Sequence, residues 1–212
     1  LVSFSDAHSN WPWRLGREAT IFDFKEPSYK NFLKVIRTGE GLKSTVETYT
    51  SYGKYHFSGH RKCGVSFSPN ETEEHNKICP KCGNKLTIGV ADRIELLADR
   101  PDGYKRENAV PFVSLIPLHE LISAVYDIKQ LSSKKVWDIY NGLIKEFGNE
   151  LNVLLKANFD DLKKIVHEKL VKVIILNRDG KLKIKPGFDG EYGKVVLFSD
   201  EAVKEQKSLR EF

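Results

Sequence analysis

The sequence of residues 60–83 reads HRKCGVSFSPNETEEHNKICPKCG, and it decides the fold of the middle of the chain. It contains two pairs of metal-binding residues, His60 with Cys63 and Cys79 with Cys82, and two residues separate the members of each pair. Fifteen residues lie between the pairs, which is the spacing of a zinc ribbon with one cysteine replaced by histidine. A two-residue gap lets the backbone turn around one ion, and Gly83 permits that turn.

These four residues predict a structural zinc site. Zn²⁺ in structural sites takes four nitrogen or sulfur ligands, and three cysteines with one histidine are a standard set. Four protein ligands leave no open position for a substrate. The spacing favours His60 as the fourth ligand, and His56 and His75 are nearby alternatives. A segment with few large apolar residues needs such a metal to hold a fold.

The predicted zinc module is basic. Between residues 51 and 90 there are six lysines and arginines and three glutamates, an excess of three positive charges, with aromatic residues among them. This mixture suits a phosphate backbone with stacked bases, but it is equally typical of a solvated surface with ordinary core aromatics. The candidate DNA contacts are Arg14, Arg17, Tyr55, His56, Arg61 and Lys62.

The composition indicates a soluble globular chain, with 40% apolar and 30% charged residues. No apolar run is long enough to span a bilayer, so we expect no membrane association. The net charge of +5 supports nucleic-acid binding only weakly by itself. Three cysteines do not form a disulfide framework and indicate a reducing, cytoplasmic compartment. The chain has no methionine, so we expect it to be part of a longer protein.

Helices are predicted where a capping residue precedes apolar residues at helical spacing. The predicted helices are one from Tyr29 that follows Ser28 and ends at Gly39 or Gly41, 118–125, 134–147 after Ser132 or Ser133, and a run to Leu170 after Asn158 or Asp160. The predicted strands are 1–4, 43–50, a hairpin of 173–176 with 182–184, and 194–198, while 109–117 is predicted to be an extended connector.

Asp6 and His8 form an Asp-x-His pair after the first predicted strand. Alternate residues of a strand point the same way, so both side chains could bind one metal ion, and this pair of ligand types suits Zn²⁺, Mn²⁺ or iron. The alternative is a turn aspartate beside a surface histidine, and the spacing alone favours that alternative.

Longer motifs favour the metal site. The run SDAHS (5–9) precedes WPWRLGREAT (11–20), and further motifs are GKYH (53–56), GHRKC (59–63), LTIGV (86–90), ELLADRP (95–101) and PGFDG (186–190). In this combination the chain resembles endonuclease Q and its archaeal and bacterial relatives, and SDAHS looks like the last metal-binding motif of a PHP domain.

The resemblance implies an α+β multi-domain protein. Residues 1–45 would be the end of a PHP metallophosphoesterase domain, which is a (β/α) barrel. Residues 46–108 would be a zinc-ribbon-like domain, and residues 109–212 a helical domain with a small β-hairpin or meander.

The same resemblance implies a DNA-repair endonuclease that nicks DNA on the 5′ side of deaminated bases such as uracil and hypoxanthine, and at abasic sites. Asp6 and His8 would be ligands of a catalytic cluster of divalent metals (Zn, Mg or Mn). The earlier PHP metal motifs would precede Leu1, so we expect the chain alone to be inactive.

Two other functions are compatible with the sequence. One is a non-catalytic zinc module that binds nucleic acid, and the other is a PHP phosphatase that acts on a small phosphorylated molecule. Salt-dependent binding to DNA would argue against the phosphatase. Discrimination between uracil-containing and normal DNA would separate the endonuclease from the binding module.

Overall fold

The computed structural model describes residues 2–101 and 103–197, and it confirms the α+β class. The strands are β1 (Ala19–Phe22), β2 (Leu42–Glu47), β3 (Ser58–His60), β4 (Val65–Phe67), β5 (Phe112–Ser114), β6 (Ile184–Lys185) and β7 (Lys194–Val195). The α-helices are α1 (Tyr29–Thr38), α2 (Pro69–Glu74), α3 (Val90–Leu97), α4 (Leu118–Tyr126), α5 (Lys134–Phe147), α6 (Glu150–Leu155), α7 (Phe159–Ile165) and α8 (Glu168–Arg178).

The chain divides into two compact units. The first unit combines Leu1–Thr48 with Asn108–Leu182, and the second combines Tyr49–Glu107 with Lys183–Phe212. Both units are therefore built from segments that are distant in sequence. The domain boundaries expected from the resemblance, and the barrel expected for residues 1–45, stay predictions. None of the described helices has the length and apolar character needed to cross a bilayer.

A three-stranded sheet with the order β1-β2-β5 belongs to the first unit. Strands β1 and β2 are antiparallel, whereas β5 lies parallel to β2 inside the segment predicted to be a connector. Helix α1 joins β1 to β2. As predicted, the Ser28 side chain caps α1 by accepting the Asn31 N–H at 3.2 Å, and of the two predicted ends, Gly39 and Gly41, Gly39 ends the helix at a φ of 77°.

Helices α4 to α8 hold the core of the first unit. The cap of α5 at Ser133 and its end at Gly148 confirm the predicted helix, and α4 confirms the helix predicted from Leu118. Each fully buried aliphatic side chain contributes about 1.5–3 kcal/mol to folding. The aliphatic residues with no exposed surface are Ile116, Leu118, Leu121, Ile122, Val136, Leu143, Val153, Leu162, Leu170, Val171, Val173 and Ile174.

The predicted hairpin over 173–184 is wrong, because α8 continues to Arg178. Leu170, Val173, Ile174 and Asn177 recur at helical spacing and are all fully buried. Their burial against the other helices outweighs the strand preference of β-branched residues. Strand β6 does pair with β7, which retains Lys194 and Val195 of the predicted strand 194–198. Phe198 lies outside the described residues.

Two further expectations need correction, and one helix is not predicted by the sequence. Residues 2–4 form no strand, and the Ser3 N–H instead donates to the Thr20 hydroxyl at 2.7 Å. The run that follows Asn158 is two helices, since Val166 and His167 have extended backbones between α7 and α8. The periodicity also gave no indication of α6, which begins after an Asn149 cap.

The second unit joins the region of the predicted zinc module to residues 183–197. Strands β3 and β4 form an antiparallel hairpin. Residues 183–197 pack beside the chain that leads into this hairpin. The Gly187 carbonyl accepts the Phe57 N–H at 2.9 Å, and the Gly187 N–H donates to the Ser51 carbonyl at 2.9 Å. A Cβ at Gly187 would lie 2.3 Å from the Gly53 carbonyl oxygen, so this close approach requires glycine.

Asn177 links α8 to the chain before α4, and its replacement is expected to destabilise the first unit. Its amide pairs with the backbone of Ile116, accepting from N–H at 2.9 Å and donating to C=O at 3.1 Å. Asn177→Leu would leave two buried backbone groups unpaired, which costs about 2–5 kcal/mol. Urea unfolding measures the loss. Asn141→Leu, on the exposed side of α5, is the control and should change the free energy of unfolding by less than about 0.5 kcal/mol. Equal stability of the two variants would contradict the role given to Asn177.

Candidate metal centre and nucleic-acid surface

Four side chains of the second unit converge as a possible metal centre. The ligand atoms of His60, Cys63, Cys79 and Cys82 all lie within 4.8 Å of one another. The His60 Nδ1 atom is 3.2 Å from the Cys82 sulfur. These separations are compatible with four ligands at Zn–N and Zn–S distances of about 2.0–2.3 Å. The cluster could therefore bind a structural metal ion, as the sequence spacing predicts.

Two tight turns present the ligands. His60 ends β3, and Cys63 lies in a short 3₁₀ turn that closes at Gly64 with a φ of 62°. In the second turn the Cys79 N–H donates to Asn84 C=O at 2.7 Å, and the Gly83 N–H donates to Cys79 C=O at 2.8 Å. Both glycines have left-handed backbones that side chains disfavour, so each turn needs its glycine.

The electrostatics of the three thiols also fit a cation. Burial raises the pKa of Cys79, but the backbone N–H of Lys81 and the His60 ring, together with Cys82, outweigh it and lower the pKa to about 6. Hydrogen bonding with the Cys82 thiol, followed by burial and the proximity of Cys79, raises the pKa of Cys63 to about 11. The neighbouring sulfurs thus disfavour a second thiolate in the cluster. A bound cation would stabilise the additional thiolates.

The two alternative histidines lie elsewhere. His75 stacks on Phe67 with ring centroids 4.5 Å apart, and His56 stacks on Phe57 at 5.1 Å. Burial lowers the pKa of His56. Neither ring joins the group of cysteines, so the structure brings together the histidine that the spacing favours.

Asp189 supports the first turn and was missed as a site residue. Its carboxylate accepts the backbone N–H of Arg61 at 2.6 Å and the hydroxyl of Thr87 at 2.7 Å. Burial acts to raise the pKa of Asp189, but these two hydrogen bonds, together with the nearby Arg61 and His60 side chains, outweigh burial and lower the pKa. The only sequence signal was the PGFDG motif, which lies 128 positions along the chain from Arg61.

Asp6 and His8 lie on an exposed loop of the first unit. The argument from strand alternation does not apply to them, because residues 2–7 are not a strand and Asp6 has a φ of 42°. The His8 Nδ1 is 2.7 Å from the Asp6 carbonyl oxygen, and because a carbonyl oxygen only accepts, Nδ1 is the donor in this hydrogen bond. Metal-binding histidines commonly donate their other nitrogen in this way. No third metal-binding side chain joins the pair within the described part of the chain.

The residues predicted to contact DNA differ in their exposure to solvent. The side chain of Arg17 is only 12% exposed, and its Nε contacts Glu18 at 3.3 Å and donates to Thr48 at 3.2 Å. Arg14 and His56 are half-buried. The exposed members of the set are Tyr55, Arg61 and Lys62. The assignment of all six as DNA contacts stays a prediction.

Known proteins provide an independent comparison. A family model described as the MJ0043 C-terminal domain matches residues 117–181. The uncharacterized protein MJ0043 of Methanocaldococcus jannaschii is 36% identical over 92% of the chain, and the uncharacterized protein YqxK of Bacillus subtilis is 31% identical over 92%. The chain spans only 25% and 46% of the lengths of these relatives.

Solved structures match over the same extent. The lesion-specific endonuclease PfuEndoQ from Pyrococcus furiosus is 35% identical, with a TM-score of 0.81 over 92% of this chain and 48% of that protein. Endonuclease Q in complex with a 27-mer duplex that carries an abasic lesion is 33% identical, with a TM-score of 0.80 over 94% of this chain and 50% of that protein. The chain is therefore a relative of endonuclease Q, similar in sequence and fold to about half of its length, as the motifs indicate.

Proposed function

We propose that this chain is the C-terminal portion of a metal-dependent DNA-repair endonuclease, which nicks DNA on the 5′ side of uracil or hypoxanthine and at abasic sites. The observation that carries the proposal is the joint similarity of sequence and fold to a lesion-specific endonuclease over 92% of the chain. The related structure that contains a duplex with an abasic lesion supports DNA as the partner. The deaminated bases rest on the family resemblance alone.

Asp6 and His8 are proposed to be ligands of the catalytic metal cluster. Asp6 and His8 are both exposed, and a carboxylate oxygen with an imidazole nitrogen is a combination of ligands that suits Zn²⁺ or Mn²⁺. Bound divalent metals would supply an activated hydroxide and would stabilise the charge on the phosphate. The Nδ1 donation to the Asp6 carbonyl fixes the tautomer and orientation of His8 before any ion binds.

We propose that the second unit holds a Zn²⁺ ion with a structural role. Three thiols and an imidazole are the donor set that Zn²⁺ takes in structural sites, and four protein ligands leave no position for a substrate. A chain that keeps three such thiols reduced suits the cytoplasm, which we expect as its location.

Zinc content tests the structural site. We expect one zinc ion per purified chain by elemental analysis, and we expect His60→Ala or Cys82→Ser to lose it and to become sensitive to proteolysis within residues 49–107, since metal binding is coupled to folding. His75→Ala is the matched control, because this nearby histidine stacks on Phe67 outside the cluster. Full zinc retention by His60→Ala, or zinc loss by His75→Ala, would overturn the assignment.

Nicking by the full-length protein tests the catalytic ligands. The substrate is a 5′-labelled duplex with a single uracil, hypoxanthine or abasic site, in Mg²⁺ or Mn²⁺. Asp6→Ala and His8→Ala should each slow nicking by at least about 100-fold, since even outer-sphere partners of a metal commonly contribute 10- to 100-fold. Asp138→Ala, on the exposed side of α5, should nick normally. Normal rates for the Asp6 and His8 variants would exclude them from the centre.

The isolated chain of 212 residues provides a separate test. Two metal ligands do not assemble a metal cluster, so we expect no nicking of the same substrates when the chain replaces the full-length protein. Robust nicking by the chain alone would show that the catalytic ligands lie within it and would contradict this proposal.

A further inference from the structure

Strands β6 and β7 place two lysines directly opposite each other. Lys185 and Lys194 are Cα partners in this antiparallel pair, so their side chains leave the same face of the ribbon. Both are exposed, and neither forms an ion pair within the described ranges. Like charges directly opposite are destabilising in a sheet, and two residues on each strand offer little pairing energy to offset that repulsion. An anionic partner would remove the repulsion.

The same ribbon is packed against the basic part of the zinc module. The Gly193 N–H, next to Lys194, donates to the Tyr52 carbonyl at 3.0 Å. The amine of Lys54 lies 4.8 Å from the centre of the Tyr192 ring, which holds this cation beside the ribbon. Segments 51–61 and 183–195 therefore pack against each other within the second unit.

Gly190 brings Arg61 onto this surface. The Gly190 N–H donates to the Lys54 carbonyl at 3.0 Å. A Cβ built on Gly190 would lie 3.6 Å from a guanidinium nitrogen of Arg61 and 3.6 Å from the Tyr55 hydroxyl, so both polar groups flank a bare stretch of backbone. The neighbouring Asp189 accepts the Arg61 N–H with one carboxylate oxygen and the Thr87 hydroxyl with the other. Both oxygens of this acidic side chain therefore have partners within the protein.

We propose that Lys54, Arg61, Lys185 and Lys194 form a single phosphate-binding face, and that its ligand is the sugar–phosphate backbone of DNA. This inference rests on the proposed function and deepens it by assigning DNA contacts to residues 183–195. The face would position the duplex through its backbone and would contribute affinity independent of sequence. The exposed side chains of Tyr55 and Tyr192 are compatible with contacts to the sugars beside the phosphates.

The test is the salt dependence of DNA binding by the full-length protein, measured by fluorescence anisotropy with a labelled duplex. Each phosphate contact contributes about 0.9 to the slope of log Kobs against log salt, so Lys185→Gln with Lys194→Gln should reduce the slope by about 1.8. Between 50 and 200 mM salt, the double variant should then lose about 12-fold less affinity than the wild type. Adding Lys54→Gln should reduce the slope by about 0.9 more.

The control replaces Lys129 and Lys145 by Gln, which removes the same charge from exposed positions of the first unit. If the Lys185 and Lys194 variant matches this control in slope and affinity, the phosphate-binding face is refuted. A large loss of thermal stability in that variant without DNA would also refute it, because removal of the lysine repulsion should leave stability unchanged or higher.

Failure of this inference is distinguishable from failure of the proposed function. Wild-type nicking of lesion-containing duplexes, together with an unchanged slope in the lysine variant, would overturn the face and leave the endonuclease standing. Wild-type protein that neither binds nor nicks DNA would overturn both.

Discussion

The second unit depends on the convergence of one imidazole and three thiols. Its buried apolar cluster consists of Val65, Cys79 and Leu86, with Cys63 and Phe67 packed against it. Two of these five residues are members of the metal-binding group, so the core and the metal centre are the same structure. A core this small offsets little of the entropy lost on folding. The free energy of binding the proposed metal ion would then be a large part of the free energy of folding for this unit.

The second unit also shows how distant sequence completes a local module. Asp189 supports the Arg61 backbone, and Gly187 approaches the Gly53 carbonyl so closely that no side chain fits. Both come from a segment more than 100 positions beyond the first turn of the candidate metal centre. The surface proposed to bind DNA is therefore assembled only when this segment packs onto the module. The exposed Asp6 and His8 pair, proposed to bind metal, differs from the cysteine cluster, because no third metal-binding side chain joins it among the described residues.

In the first unit, the sequence predicted helices correctly where three local signals coincide. Helices α1 and α5 each have a serine cap, apolar residues at helical spacing and a terminal glycine, and these signals act within one or two turns of the chain. Helix α8 lacks this agreement. Its residues 171–175 include four β-branched side chains, a composition typical of strands, yet burial against α4 and the hydrogen bonds of Asn177 with Ile116 require a helix.

By itself the sequence determined the three cysteines of the candidate metal centre, because the two-residue spacing and the following glycine are local requirements of a metal-binding turn. It also determined the family resemblance through its motifs. It left open which histidine joins the cysteines, and the structure chose His60 because β3 ends there while His56 and His75 stack on aromatic rings. Only the tertiary structure decided that residues 183–197 belong with the metal module and that residues 173–178 are helical. Both outcomes depend on contacts between segments far apart in the chain, and such contacts leave no periodic signal in the sequence.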